Sequence, residues 1–192
     1  MSATLINIAL DLETLSTRED AAIIQIGACI PTFDRRHVPL GLSCEFETTI
    51  RFEDCIDPKY NFHLDPNIME WWEKQNPKVR AYVFSGQNTY PDAFHQFKFW
   101  VDSIKSSGAD VAIWGNGSDF DNKLLSYSLD SLGFHGVWSF RNNRDLRTLK
   151  AMHPVDIAED PIHEVKHTAI GDARYEARLL NAAKIIHGLD NL

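Results

Sequence analysis

The sequence predicts one α/β or α+β domain, on three observations. β-type patterns crowd the first fifty residues, amphipathic helical patterns dominate after residue 90, and an apolar run at 110–115 interrupts those helices. At 192 residues the chain is long enough to bury one full core, so a single domain over 1–192 is expected.

The first strand is Leu5-Ile6-Asn7-Ile8-Ala9-Leu10, running on into Asp11-Leu12-Glu13-Thr14. A run this apolar suits a buried central strand. After a polar loop to Asp20, residues 21–30 make a second strand, and residues 42–52, which alternate and carry β-branched side chains, a third. The three fit an antiparallel meander. A polar loop over 55–65 leads to a short helix at 66–75, with Ile68, Trp71 and Trp72 at core-facing spacing. Residues 90–105 form an amphipathic helix whose apolar face carries Phe94, Phe97, Trp100, Val101 and Ile104. Asp110–Gly115 reads as a central fourth strand, followed by a turn and a helix over about 120–132. A last short strand is expected at 137–140, then a helix at 145–152 and a loop holding Pro154 and Pro161. The final helix, over 169–186, keeps Ala173, Ala177, Leu180 and Ala183 on one side and stops at Gly188.

Composition narrows the function classes. A net charge of −8 argues against a protein held to nucleic acid by a broad basic face. It leaves room for a nuclease whose acids are neutralised by bound metal. No stretch is apolar and long enough to span a membrane, and no basic region followed by an apolar signal core opens the chain, so a cytoplasmic protein is expected. Cys29, Cys44 and Cys55 are odd in number and lack metal-type spacing, which fits reduced thiols.

The chemistry starts with Asp11 and Glu13. Residues two apart on a strand point to the same side, so both carboxylates project together at the edge of a hydrophobic sheet. Side by side they repel, and removing them from water is costly. A divalent cation relieves both, and hard oxygen ligands suit magnesium or manganese. Taken alone, Asp-x-Glu is also common at solvated strand ends. Asp121 and Asp172, each near a helix start, have the ordinary reading of acids placed against the helix dipole, and Ser118 or Asp119 is expected to cap the earlier helix. His167 alone reads as a surface polar group. The ordered set carries more than its members. Asp-x-Glu on the first strand, Asp121 after the fourth, and His167 five residues before Asp172 define one shared metal site. Ala169, Gly171 and Ala173 would let the last helix pack close against the sheet.

On Asp11-Leu12-Glu13-Thr14, on Gly115 through Asp121, and on His167 through Ala173, the chain resembles the DEDDh exonucleases of the ribonuclease-H-like superfamily, along nearly its whole length. Residues 68–77 and Arg144-Asp145-Leu146-Arg147-Thr148 further resemble the exonuclease A group of tailed phages and related bacterial 3′–5′ exoribonucleases. Many members have Phe-Asp four residues after an Asn. Here Asn116 lies five before Asp121, and the Phe120-Asp121-Asn122 context favours Asp121 over Asp119.

The resemblance implies an α/β ribonuclease-H-like fold, with a mixed five-stranded sheet, an antiparallel meander followed by parallel strands, flanked by helices. It implies two Mg²⁺ or Mn²⁺ ions held by Asp11, Glu13, Asp121 and Asp172, with His167 as general base. The expected reaction is 3′–5′ hydrolysis of single-stranded ends or 3′ overhangs of DNA or RNA to nucleoside 5′-monophosphates. In similar enzymes the pair after Asp-x-Glu meets the terminal nucleotide, which points to Thr14 and Leu15. Trp72 or Trp71 is a candidate to stack on a base, with core packing as the other reading. Asn116 is a candidate to orient a site group or a base. Arg141, Arg144, Arg147 and Lys150 recur every three residues and, if helical, form a stripe for phosphates, or else a solvated face. Analogy also allows a homodimer. The competing function is a silent nucleic-acid-binding module on this fold, whose signature would be a missing carboxylate or histidine. None is missing.

Overall fold

The computed structural model describes residues 4–189. It contains a five-stranded mixed sheet in the order β3-β2-β1-β4-β5. β1 is Leu5–Thr14, β2 Ile23–Cys29, β3 Glu45–Thr49, β4 Asp110–Gly115 and β5 Asn143–Asp145. β1 pairs antiparallel with β2 and parallel with β4; β2–β3 is antiparallel and β4–β5 parallel. This is the expected meander followed by parallel strands, with β1 at the centre.

Among the described residues seven α-helices flank the sheet: α1 Phe52–Cys55, α2 Pro66–Glu73, α3 Pro77–Val83, α4 Tyr90–Lys105, α5 Asp121–Ser131, α6 Leu146–Met152 and α7 Ala169–His187. Their starts follow from local chemistry. Asp65, Asn76, Thr89, Asp145 and Thr168 each accept a main-chain N–H of the first turn of α2, α3, α4, α6 and α7, and proline opens α2 and α3. α7 ends where Gly188 turns left-handed at φ 62°.

Two expectations are corrected. The fifth strand is not at 137–140: Val137 and Trp138 are buried in a loop, a 3-10 turn takes Phe140–Asn142, and the polar segment Asn143–Asp145 pairs with β4 instead. Neither Ser118 nor Asp119 caps α5, whose start at Phe120 has no side-chain cap.

The two faces of β1 divide the core. Ile6, Ile8, Leu10 and Leu12 face the larger cluster, with Phe94, Phe97 and Val101 of α4 and Leu124 and Leu125 of α5. Ala9 faces the smaller one, against Leu146 and Leu149 of α6 and Ala173, Ala177 and Leu180 of α7. The two-residue period of a strand therefore sets Asp11 and Glu13 on the α7 side.

α7 reaches the sheet because of Gly27, which lies opposite Asp11 on β2. A Cβ there would sit 2.1 Å from the main-chain carbon of Ala169 and 2.3 Å from the nitrogen of Ile170. Both are backbone atoms, so no rotamer change relieves the clash. Gly27→Ala is expected to push α7 away and destabilise the fold by about 1–3 kcal/mol, as overpacking does. At about 2–4 °C per kcal/mol for a chain of this size, thermal denaturation should show a clear drop; an unchanged midpoint would contradict this docking.

Candidate active site

Asp11, Glu13 and Asp172 each bring a carboxylate oxygen to within 4.8 Å of the other two. Glu13 sits beside Gln25 in the β1–β2 register. Gln25 is fully buried; its Oε1 accepts the Ala169 N–H at 2.7 Å, and its Nε2 donates to Glu47 at 3.3 Å. One buried amide thus fastens the first residue of α7 to β2, three residues before Asp172. Ala169 and Ala173 give the close approach to the sheet that the sequence anticipates, whereas Gly171 makes room for the backbone of Val165 in the turn before α7.

Asp121 arrives from the other side. It opens α5 just beyond the C-terminal end of β4, and Gly115 makes the space, since a Cβ there would meet Asn122 Oδ1 at 2.4 Å and Asp121 Cβ at 3.0 Å. Asp121 is buried near the carboxylate cluster, where it raises Glu13, and Asp119 is exposed. The turn before α5 is tied to α6 by Asp145, which accepts the N–H of Ser118 at 2.7 Å and that of Thr148 at 2.6 Å.

His167 occupies the left-handed region at φ 61°, where histidine is uncommon. Its main-chain N–H donates to Asp172 Oδ2 at 2.9 Å, which holds the turn before α7. The imidazole is exposed, and the ring of Trp71 meets it edge to face at 5.0 Å.

The substrate contacts inferred from resemblance fare unevenly. Leu15 is 0% exposed and cannot touch a nucleotide. Thr14 is buried, its hydroxyl donating to Ser16 O at 2.8 Å, so its side chain is turned inward as well. Trp72 is 1% exposed, with Nε1 donating to Thr14 O at 3.1 Å. It is a core residue, and an enclosed ring offers no face for stacking. Trp71, 38% exposed beside His167, is the tryptophan that solvent reaches. The basic residues do not form one helical stripe: Arg141 lies in the 3-10 turn and Arg144 in β5, its guanidinium donating to the carbonyls of Arg141 and Asn143. Arg147 and Lys150, both on α6, converge on Asn116, Arg147 Nη2 on its carbonyl and Lys150 Nζ on its Oδ1, each at 2.9 Å.

A cleft of about 370 Å³ opens beside the carboxylates, lined by Asp11, Asn116, Lys150, Asp172, Tyr175 and Glu176. Glu176 was not foreseen. It lies one helical turn beyond Asp172, and that i, i+4 spacing is the only signal the sequence holds.

The electrostatics are those of anions confined together. Burial, then Glu176, Asp121, Glu13 and Asp172, push the Asp11 carboxyl well above its ordinary range. Burial, then Asp172 and Asp121, push Glu13 up to about 8. Burial lifts Asp121 to about 7, against the lowering influence of main-chain amides and Arg147. Asp172 is raised by burial, with the His167 N–H opposing. This donor set fits divalent cations: hard oxygens, converging, partly buried and short of positive partners.

Residues 6–184 match the family model described as the 3′–5′ exoribonuclease Rv2179c-like domain. The chain belongs to that family, which makes it an exonuclease domain. No curated protein sequence matches it. Among solved structures it is similar to cell-death related nuclease 4 (CRN-4), with a TM-score of 0.56 and 13% identity over 95% of this chain and 64% of that one. It is also similar to the nuclease domain of 3′hExo, a DEDDh family member bound to rAMP, with a TM-score of 0.54 and 15% identity over 95% of this chain and 92% of that one. At these identities the likeness speaks to the ribonuclease-H-like fold, and the chain spans under two thirds of CRN-4.

A carboxyl with a higher pKa folded than unfolded holds its proton more tightly in the fold. Its contribution to stability is complete below the unfolded value and is lost as pH rises through the folded one. For Glu13 that window runs from 4.5 to about 8, and for Asp121 from 3.8 to about 7. The metal-free midpoint should therefore fall by several degrees between about pH 5 and about pH 8, while the gain from Mn²⁺ grows over the same span. A midpoint flat with pH, with no Mn²⁺ effect, would contradict the clustering.

Proposed function

We propose that the protein is a divalent-metal-dependent 3′–5′ exonuclease that removes nucleoside 5′-monophosphates from single-stranded RNA ends. The observation that carries this reading is the cluster of Asp11, Glu13 and Asp172 carboxylates within 4.8 Å of one another, with Asp121 near enough to raise Glu13 and His167 bonded to Asp172 through its main chain. RNA is chosen over DNA on the family description and on the rAMP held by the 3′hExo nuclease domain.

The four carboxylates would hold Mg²⁺ or Mn²⁺, two ions as in other sites of this chemistry. Bound there, the cations supply the positive charge that activates the attacking water and stabilises the departing 3′-oxygen. His167 takes the proton from the water, on a main chain held in place by Asp172. The water oxygen bonds to phosphorus, the bond from phosphorus to the 3′-oxygen of the preceding nucleotide breaks, and that oxygen takes a proton from solvent to become the new terminal hydroxyl. Arg147 and Lys150, gathered at Asn116, offer positive charge to the phosphates. Trp71 presents an exposed ring to a terminal base.

The test is incubation of 5′-labelled single-stranded RNA and DNA of matched sequence with Mn²⁺ or EDTA. A metal-dependent ladder shortening from the 3′ end is expected, faster on RNA, and absent for Asp11→Asn. His167→Ala should slow it by about 10²–10⁴-fold, the usual share of a general base. Equal or faster digestion of DNA would overturn the choice of substrate, and full activity of Asp11→Asn would overturn the mechanism.

A further inference from the structure

Glu176 sits on the inner face of α7, one turn after Asp172, between the buried Ala173 and Ala177. It is 4% exposed, and its Oε2 is buried without a hydrogen-bond partner. A polar oxygen left this way costs free energy that an aliphatic side chain would avoid. Glu176 nevertheless lines the same cleft as Asp11 and Asp172. The positive group that acts on it is Lys150, whose ammonium is engaged with Asn116 Oδ1. Ionised, this carboxyl would need positive charge in the cleft beyond that of Lys150.

We propose that Glu176 is a fifth carboxylate of the cation site, its unpartnered oxygen helping Asp11 and Asp172 to hold a divalent ion at the wall of the cleft. This rests on the cation-dependent reading above and extends it. The four family carboxylates make the site, and Glu176 adds charge from the cleft side, which raises affinity there. A purely structural carboxyl would instead support packing and leave cation affinity untouched.

The test is calorimetric titration of Mn²⁺ into the metal-free protein and into Glu176→Gln and Glu176→Met, with metal-free thermal midpoints measured alongside. Both substitutions are close in volume and remove the carboxyl's charge, and Glu176→Met also removes the unpartnered oxygen, so metal-free midpoints at or above that of the unmodified protein are expected. Mn²⁺ affinity should fall about tenfold in each, the equivalent of about 1.4 kcal/mol. Affinity within twofold of the unmodified protein in either folded variant would overturn the role of Glu176. Lower metal-free midpoints with unchanged affinity would also overturn it, in favour of packing. Failure of the unmodified protein to bind Mn²⁺ at all would overturn the cation site itself, which keeps the two failures distinct.

Discussion

The site depends on how closely the start of α7 approaches β2. Gly27 has no side chain, so the backbone of Ala169 and Ile170 lies against it, and Gln25 fastens Ala169 with a buried amide. Both belong to the strand that pairs with the acidic end of β1, Gly27 opposite Asp11 and Gln25 opposite Glu13. The contact that seats the helix therefore also sets the distance from Asp172 to the strand-borne acids. Shared backbone, rather than side-chain adjustment, fixes the geometry, which is how a site is kept stiff enough to hold cations at defined positions.

The arrangement is electrostatically unfavourable by itself. Asp11, Glu13, Asp121, Asp172 and Glu176 crowd one region, and burial raises every one of them above the ordinary carboxylate range. Folding without cations leaves two choices, protonation or repulsion, and both oppose the ionised form that metal binding needs. The rest of the fold supplies the offset: a central strand buried on both faces, with α4 and α5 on one side and α6 and α7 on the other. Destabilisation confined to a functional cleft and balanced by a well-packed core is the familiar division between site and scaffold.

Much of this was legible in the sequence, and the exceptions have physical causes. β1, β4, α4 and α7 were plain because apolar period and length agree with burial. β5 was misplaced because Asn143-Arg144-Asp145 has no apolar pattern: a three-residue edge strand is held by main-chain bonds to β4, while Val137 and Trp138 fill the core from a loop. α3 was overlooked although Asn76-Pro77 is a sound helix start, because seven residues give too little periodicity to read. The carboxylates and His167 were legible as an ordered set. Glu176 was not, since a glutamate inside a helix ordinarily faces water. Thr14, Leu15 and Trp72 show the limit of resemblance: their orientation depends on what packs around the end of β1, which no motif records.

The most direct measurement is anomalous scattering from crystals grown with Mn²⁺ and a nucleoside 5′-monophosphate. The expected result is manganese density among the Asp11, Glu13, Asp121 and Asp172 carboxylates, with the phosphate of the nucleotide beside it. A well-ordered cluster with no manganese at saturating concentration, or manganese bound only elsewhere, would contradict the claim that these acids converge in order to hold catalytic cations.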